Sequence, residues 1–147
     1  MYQKILVSTD GSALSEKALD TAAELAARFQ AKLFVFYALP TYPLPAYAGG
    51  VVYEQISKQE FTTFFTEEAT KILTSAEERI KKHGIESVRL HTQAASPWES
   101  ILTAAKENEC DLIVMASHGR RGIQALLLGS ETQKVLTHSP LPVLVIR

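Results

Sequence analysis

Hydrophobic and polar positions alternate in two rhythms along the chain. Short unbroken apolar runs read as strands covered on both faces: Ile5-Leu6-Val7 within Lys4 to Thr9, Leu33 to Leu39, and Asp111 to Ser117. Pro142 to Arg147 reads as a final strand. Between the first two runs, Leu14, Ala18, Ala22, Leu25 and Phe29 recur every three or four residues and predict a helix, with Ser12 as N-cap and Glu16 in its first turn. A second helix, from about Glu54 to His83, gathers Phe61, Phe64, Phe65, Ile72, Leu73, Ala76 and Ile80 on one side, read as core, and stops at Gly84. Val88, Leu90 and Thr92 alternate with Arg89, His91 and Gln93, the pattern of a strand with one wetter face at a sheet edge.

Local start signals place the remaining helices. Ser96-Pro97-Trp98-Glu99 joins a capping box, Ser96 to Glu99, to a proline at the first helical position, and turns Trp98, Ile101, Leu102 and Ala105 inward. Ser130 with Gln133 predicts the cap of a last short helix, which Pro140 ends. The order βαβαβαβαβ predicts an α/β fold: a single domain over residues 1–147, with an open, doubly wound, five-stranded parallel sheet and helices on both faces.

Composition narrows the function. The 147 residues are 46% hydrophobic and 21% charged, the balance of one globular domain. A formal net charge of -1 argues against a general nucleic-acid binder. The single cysteine, Cys110, allows no intramolecular disulfide and no paired-cysteine zinc site, which suits a reducing compartment. The opening residues turn polar at Ser8 before a signal-peptide core forms. The longest uncharged stretch, Leu33 to Tyr53, is broken by Pro40, Pro43, Pro45, Gly49 and Gly50, so no membrane span is expected and the cytoplasm is the expected location. The loop from Pro40 to about Tyr53, with Tyr42, Tyr47 and Tyr53, is either a working surface or a packed excursion.

In an open α/β sheet, ligands bind beyond the carboxyl ends of the strands, where strand order reverses. With the first strand central, that rule delivers Ser8-Thr9-Asp10 and Met115-Ala116-Ser117. The segment that follows, from Ala116 to Ser130, is neither a Walker A loop nor the Gly-x-Gly-x-x-Gly fingerprint. Its glycines permit close backbone approach, and the helix beginning at Ser130 offers N–H groups and a positive dipole end to a phosphate. The same Gly129-Ser130 pair is equally a turn and cap. Asp10 can serve as turn former for the first helix, and Thr9 as strand-end packing. Arg120 and Arg121 are either phosphate partners or solvated charges, and His118 is a hydrogen-bonded spacer. His83, His91 and His138 have no metal-site spacing. No Gly-x-Ser-x-Gly elbow, metal-binding histidine pair or kinase signature occurs, and catalysis is not indicated.

The whole chain resembles the universal stress protein family. The likeness runs from Asp10-Gly11-Ser12 through Ser-His-Gly-Arg-Arg-Gly and Leu-Leu-Leu-Gly-Ser to Ser-Pro-Leu-Pro-Val-Leu-Val-Ile-Arg. Nucleotide-binding members carry Gly-x2-Gly-x9-Gly-Ser/Thr; Gly119, Gly129 and Ser130 match the later elements, and Ala116 stands where the first glycine would be. A methyl there is harmless at negative φ and costs roughly 1–2 kcal/mol in a left-handed backbone. The resemblance implies a Rossmann-like, adenine nucleotide alpha hydrolase-like fold that binds ATP at the sheet's carboxyl edge and acts as a stress-response regulator or sensor. It implies Thr9 and Asp10 at the adenosine, Ala38 at adenine, and Met115 and Ala116 at the ribose. Gly119, Gly129, Ser130, Glu131 and Thr132 would surround the phosphates; because a carboxylate near a triphosphate is repulsive unless it points to solvent or a divalent cation intervenes, Glu131 is expected to serve through its backbone N–H rather than its side chain. Mg²⁺ or Mn²⁺ would be held mainly through phosphates and water. A homodimer through the last strand and an unidentified protein partner are further expectations. The rival readings are an interaction or chaperone-like protein whose site Ala116 has degraded, and a slow ATP hydrolase.

Overall fold

The computed structural model describes residues 1–41, 57–119 and 128–147. Most of the Pro40 to Tyr53 loop, the expected helix start at Glu54, and Arg120, Arg121 and Gly122 lie outside the described residues. In chain order the elements are β1 Lys4–Ser8, α1 Ala13–Phe29, β2 Lys32–Pro40, α2 Lys58–Lys81, β3 Ser87–Ala94, α3 Pro97–Glu107, β4 Leu112–Ala116, α4 Ser130–His138 and β5 Val143–Ile146. The strands form one five-stranded parallel sheet in the order β3-β2-β1-β4-β5, with β1 central as expected and β3 at an edge. Strand order reverses between β1 and β4, so their carboxyl ends flank a crevice.

Alternation along the strands divides the core in two. Ile5, Val7, Leu33, Val35, Leu112 and Val114 point to one face, against Ala18, Ala22, Ala23 and Ala26 of α1 and Leu73, Ala76 and Ile80 of α2. Leu6, Phe34, Phe36, Ile113 and Met115 point to the other, against Ile101, Ala104 and Ala105 of α3 and Val135 of α4. Both faces are covered, which is why these runs carry no polar alternation. The alanine stripe of α1 lets the helix lie close over β1 and β4.

The helix ends depart from expectation in instructive ways. Ser12 caps α1 as expected, its hydroxyl accepting from Ser15 N at 3.2 Å. Helix α2 begins with a capping box that the sequence reading did not assign: Ser57 Oγ accepts from Glu60 N, and Glu60 Oε2 accepts from Ser57 N. Its buried residues begin only at Ala69, and Phe64 is 56% exposed, so the expected aromatic core contribution is corrected. The first turns of α2, residues 58–68, hold no buried residue. The helix stops short of Gly84, which takes φ +73 in the turn that follows. The N-terminal register of α4 also shifts: Gly129, rather than Ser130, is the N-cap, because Gln133 N bonds Gly129 O at 2.9 Å.

Candidate functional site

A cleft of about 690 Å³ opens at the carboxyl edge of the sheet. The end of β1 contributes Thr9 and Asp10, the end of β2 Ala38, the end of β4 Met115, Ala116, His118 and Gly119, and the start of α4 Gly129, Ser130, Glu131 and Thr132. The residues that the family resemblance places at the ligand therefore all line this one cleft, whereas Ser117, which the strand-end rule also delivers, is not among its lining residues. Sequence reading missed Leu39, Pro40, Ala94, Ala95 and Pro97, which line it from β2 and the β3-α3 connection. Their only signal was position, immediately after strands that end on the same edge.

Local hydrogen bonds set the shape of the floor. Thr9 is buried, its N–H bonds Phe36 O, and its hydroxyl lies 3.1 Å from Ser15 Oγ while accepting from Gly11 N. The strand-end packing role thus holds, and the hydroxyl is engaged on the protein side. Asp10 Oδ1 accepts Ser12 N–H at 2.9 Å, the expected turn-forming contact that starts α1. At the fourth strand, Ala116 is a strand residue without positive φ, so its methyl carries no left-handed penalty. The Ala116 carbonyl accepts the buried Thr132 hydroxyl at 2.9 Å, tying the start of α4 to the end of β4.

The glycines matter through space rather than dihedral freedom. Gly129 has φ -58 and donates to Ser117 O at 2.7 Å, and a Cβ there would sit 3.2 Å from both Ser117 O and His118 Cα. A Cβ on Gly119 would collide with Asp10 Oδ2. His118 Nδ1 lies 3.2 Å from Ser117 Oγ, the hydrogen-bonded spacer arrangement.

Helix α4 enters the cleft without a side-chain cap. Gly129 N is spent on Ser117 O, leaving the first-turn N–H groups of Ser130, Glu131 and Thr132 at the positive end of the helix. The Glu131 side chain stays partly exposed but is tied to protein groups on both of its oxygens. Its Oε2 accepts Trp98 N–H at 2.9 Å and its Oε1 meets Lys134 Nζ at 3.1 Å. That contact also corrects the capping box expected at Ser96 and Glu99: Ser96 makes no side-chain cap bond, and the α3 terminus takes its carboxylate from 33 residues away. Pro97, which has no N–H to donate, leaves Trp98 as the first donor of the helix.

A smaller cavity of about 240 Å³ lies between α1 and α2, lined in part by Glu16, Lys71 and Arg79. Its charges are already paired: Arg79 binds Asp20 through Nε at 2.8 Å and Nη2 at 2.7 Å, and Glu16 through Nη1 at 3.0 Å, while Lys71 meets Glu68. The Arg79 hydrogen bonds, helped by His83, hold the Asp20 carboxyl below its ordinary range despite partial burial. Cys110 is buried, and desolvation, with Asp111 beside it, pushes its thiol up to about 11. Among the described residues no group of three histidine, cysteine or acidic side chains could hold a metal ion, and no helix is long and apolar enough to cross a membrane.

Known proteins share this architecture. The full span of residues 1–147 matches the universal stress protein family. The chain belongs to the universal stress protein family. The universal stress protein YxiE of Bacillus subtilis (strain 168) is 34% identical over 149 aligned positions, covering all of both chains. A universal stress protein solved in complex with cAMP is 27% identical, with TM-score 0.71 and coverage of 99% of this chain and 97% of that one. The Archaeoglobus fulgidus universal stress protein, solved in complex with dAMP, is 26% identical, with TM-score 0.71 and coverage of 99% and 98%. The sheet order and the four helices match the universal stress protein, adenine nucleotide alpha hydrolase-like fold, which a Lactobacillus plantarum universal stress protein shares at TM-score 0.79.

Proposed function

We propose that this universal stress protein binds ATP in the cleft at the carboxyl edge of its sheet and acts as a nucleotide-dependent regulator of a stress response. The observation that carries the reading is the uncapped N-terminus of α4, which brings Gly129, Ser130 and the first-turn N–H groups into the cleft that Asp10, Ala38 and Ala116 also line. Such a terminus favours phosphate through its free donors and its dipole. The adenine nucleotides in the solved relatives support the ligand class, cAMP in one and dAMP in the other. In this reading adenine lies near Ala38, ribose near Met115 and Ala116, and the phosphates near Gly119, Gly129 and Ser130. Thr9 contributes packing and its backbone, because its hydroxyl is already engaged with Ser15 and Gly11.

The donors present fit a divalent cation carried by the nucleotide. Among the described residues Asp10 and Glu131 are the carboxylates lining the cleft, and each has a carboxylate oxygen bound to a backbone N–H. Mg²⁺ or Mn²⁺ would therefore be held mainly by phosphate oxygens and water, and would offset phosphate charge. A homodimer through β5 belongs to the same proposal: β5 is an edge strand whose Val143–Ile146 side chains are half-buried in the single chain, and pairing would cover its open side.

Calorimetric titration of refolded, nucleotide-free protein with ATP and AMP, with and without Mg²⁺, tests the ligand. The expected result is ATP binding in the micromolar range or tighter, about −8 kcal/mol or better. Absence of binding by either nucleotide at millimolar concentration would overturn it. Sedimentation at tens of micromolar tests the dimer, and a monomer there would remove it.

A further inference from the structure

Glu131 places a fixed negative charge where the cleft otherwise attracts anions. Helices α3 and α4 both begin at this end of the cleft, which Pro97 and Ser130 line. The Glu131 carboxylate bridges them, accepting Trp98 N–H through Oε2 at 2.9 Å, while Oε1 meets Lys134 Nζ at 3.1 Å. Two of its contacts thus hold the side chain in place, and it remains 36% exposed beside the first-turn N–H groups of α4. An anion drawn to those N–H groups meets this carboxylate next to them. Lys134, paired with the carboxylate at 3.1 Å, offsets part of its charge, and the repulsion that remains grows with the ligand's phosphate charge.

We propose that Glu131 is a specificity-determining residue that makes the cleft select nucleotides by phosphate charge: a monophosphate binds without a cation, and a triphosphate binds well only when a divalent cation accompanies it. This selectivity presupposes the adenine-nucleotide reading above. The cation offsets phosphate charge next to Glu131 without needing a protein-built site. The Trp98 and Lys134 contacts matter because they keep the carboxylate from swinging away when an anion enters. A nucleotide that did displace it would leave the α3 terminus without that cap.

Titration of the wild type and of Glu131→Gln with AMP and ATP, each in Mg²⁺ and in EDTA, tests the proposal. Glutamine keeps an oxygen for Trp98 N–H and removes the charge. In the wild type, EDTA is expected to weaken ATP by about tenfold or more and AMP by less than about twofold. In Glu131→Gln, ATP in EDTA is expected to tighten by about tenfold while AMP stays within about twofold. Glu131→Ala is expected to show the same loss of metal dependence with a lower thermal midpoint, since it removes the cap as well. If ATP binds and both variants keep the wild-type EDTA penalty, Glu131 is only a helix cap and the selectivity is overturned, with the nucleotide site intact. If neither nucleotide binds the wild type at millimolar concentration, the nucleotide reading falls and the selectivity falls with it.

Discussion

The backbone of Gly119 lies so close to Asp10 that a Cβ would be driven into Asp10 Oδ2. The other oxygen of Asp10 starts α1 by accepting Ser12 N–H, so the carboxylate has little freedom to retreat. Gly119→Ala is therefore expected to cost about 1–3 kcal/mol through overpacking and to weaken nucleotide binding by about tenfold. Removing the obstacle should rescue it: in the double variant Asp10→Ala, Gly119→Ala, the cost of the alanine at 119 is expected to shrink by at least about 1 kcal/mol. Denaturant unfolding of the four proteins in this cycle measures the coupling, and simple additivity would show that the two residues do not press on each other.

Gly129 is constrained differently, by backbone on the protein side and by the cleft on the other. Its Cβ would come within 3.2 Å of Ser117 O and His118 Cα, a contact the backbone can meet by moving a few tenths of an ångström. Gly129→Asp is expected to keep the fold while placing a side chain and a charge at the α4 terminus, where the carboxylate caps the donors meant for phosphate. ATP affinity should drop at least about a hundredfold. An unchanged affinity in folded protein would separate the α4 terminus from the ligand site.

The link between α4 and β4 rests on a buried hydroxyl. Thr132 Oγ1 donates to Ala116 O at 2.9 Å, and Thr132 is 3% exposed. Thr132→Val keeps the shape and leaves the carbonyl without this donor, with an expected loss of about 1–2 kcal/mol, whereas Thr132→Ser retains the bond. Because the bond sets where α4 begins relative to the strand end, the valine variant should also weaken ATP by a few fold while serine recovers most of it. Thermal unfolding together with titration checks both effects, and equal behaviour of valine and serine would assign the loss to packing.

What the sequence could tell divides along the length scale of the interactions. The strands were legible because both faces of β1, β2 and β4 are covered, which forces unbroken apolar runs such as Ile5-Leu6-Val7. The cleft residues were legible as positions because Thr9, Ala38 and Ala116 stand at or just beyond strand ends, and the parallel topology brings those ends to one edge. The cap expected on α3 failed because its partner was distant. Ser96 and Glu99 have the spacing of a capping box, yet Glu131 supplies the cap from another helix. Phe64 has helical core spacing, but it lies on turns of α2 that precede the helix's first buried residue. Spacing reports which residues share a face and is silent on whether anything covers that face.

The pairing of Asp20 with Arg79 is another contact between distant segments, and it has a pH signature. Hydrogen bonds from Arg79 lower the Asp20 carboxyl below its ordinary value of 3.8, with His83 adding to the effect and burial opposing it. The unfolded chain then binds this proton more readily than the folded one, so the pair's contribution is fully present above about pH 4 and is lost as pH falls through the lower folded value. Asp20→Asn is expected to cost about 1 kcal/mol at neutral pH, a modest figure because the pair is partly solvated. The gap between wild type and variant should narrow below about pH 4. Urea unfolding from pH 7 to pH 2.5 follows it, and a gap that stayed constant would show that Asp20 acts through packing alone.

Cys110 gives a test of the core itself. It sits 5% exposed just before β4, packed in the cluster of Leu6, Ile113 and Ala105, and its thiol is pushed up to about 11 by desolvation and by the adjacent Asp111. Only the thiolate attacks disulfide reagents, and at pH 8 a thiol with that pKa is almost wholly protonated. The native protein is expected to react with an aromatic disulfide reagent at least about a hundredfold more slowly than the urea-unfolded chain, because burial and protonation act together. Adding subdenaturing urea should raise the rate in step with the population of open molecules. A native rate equal to that of the unfolded chain would mean that the α3 face of the sheet is not closed over Cys110, and the packing that positions Pro97 and Ile101 at the cleft would have to be redrawn.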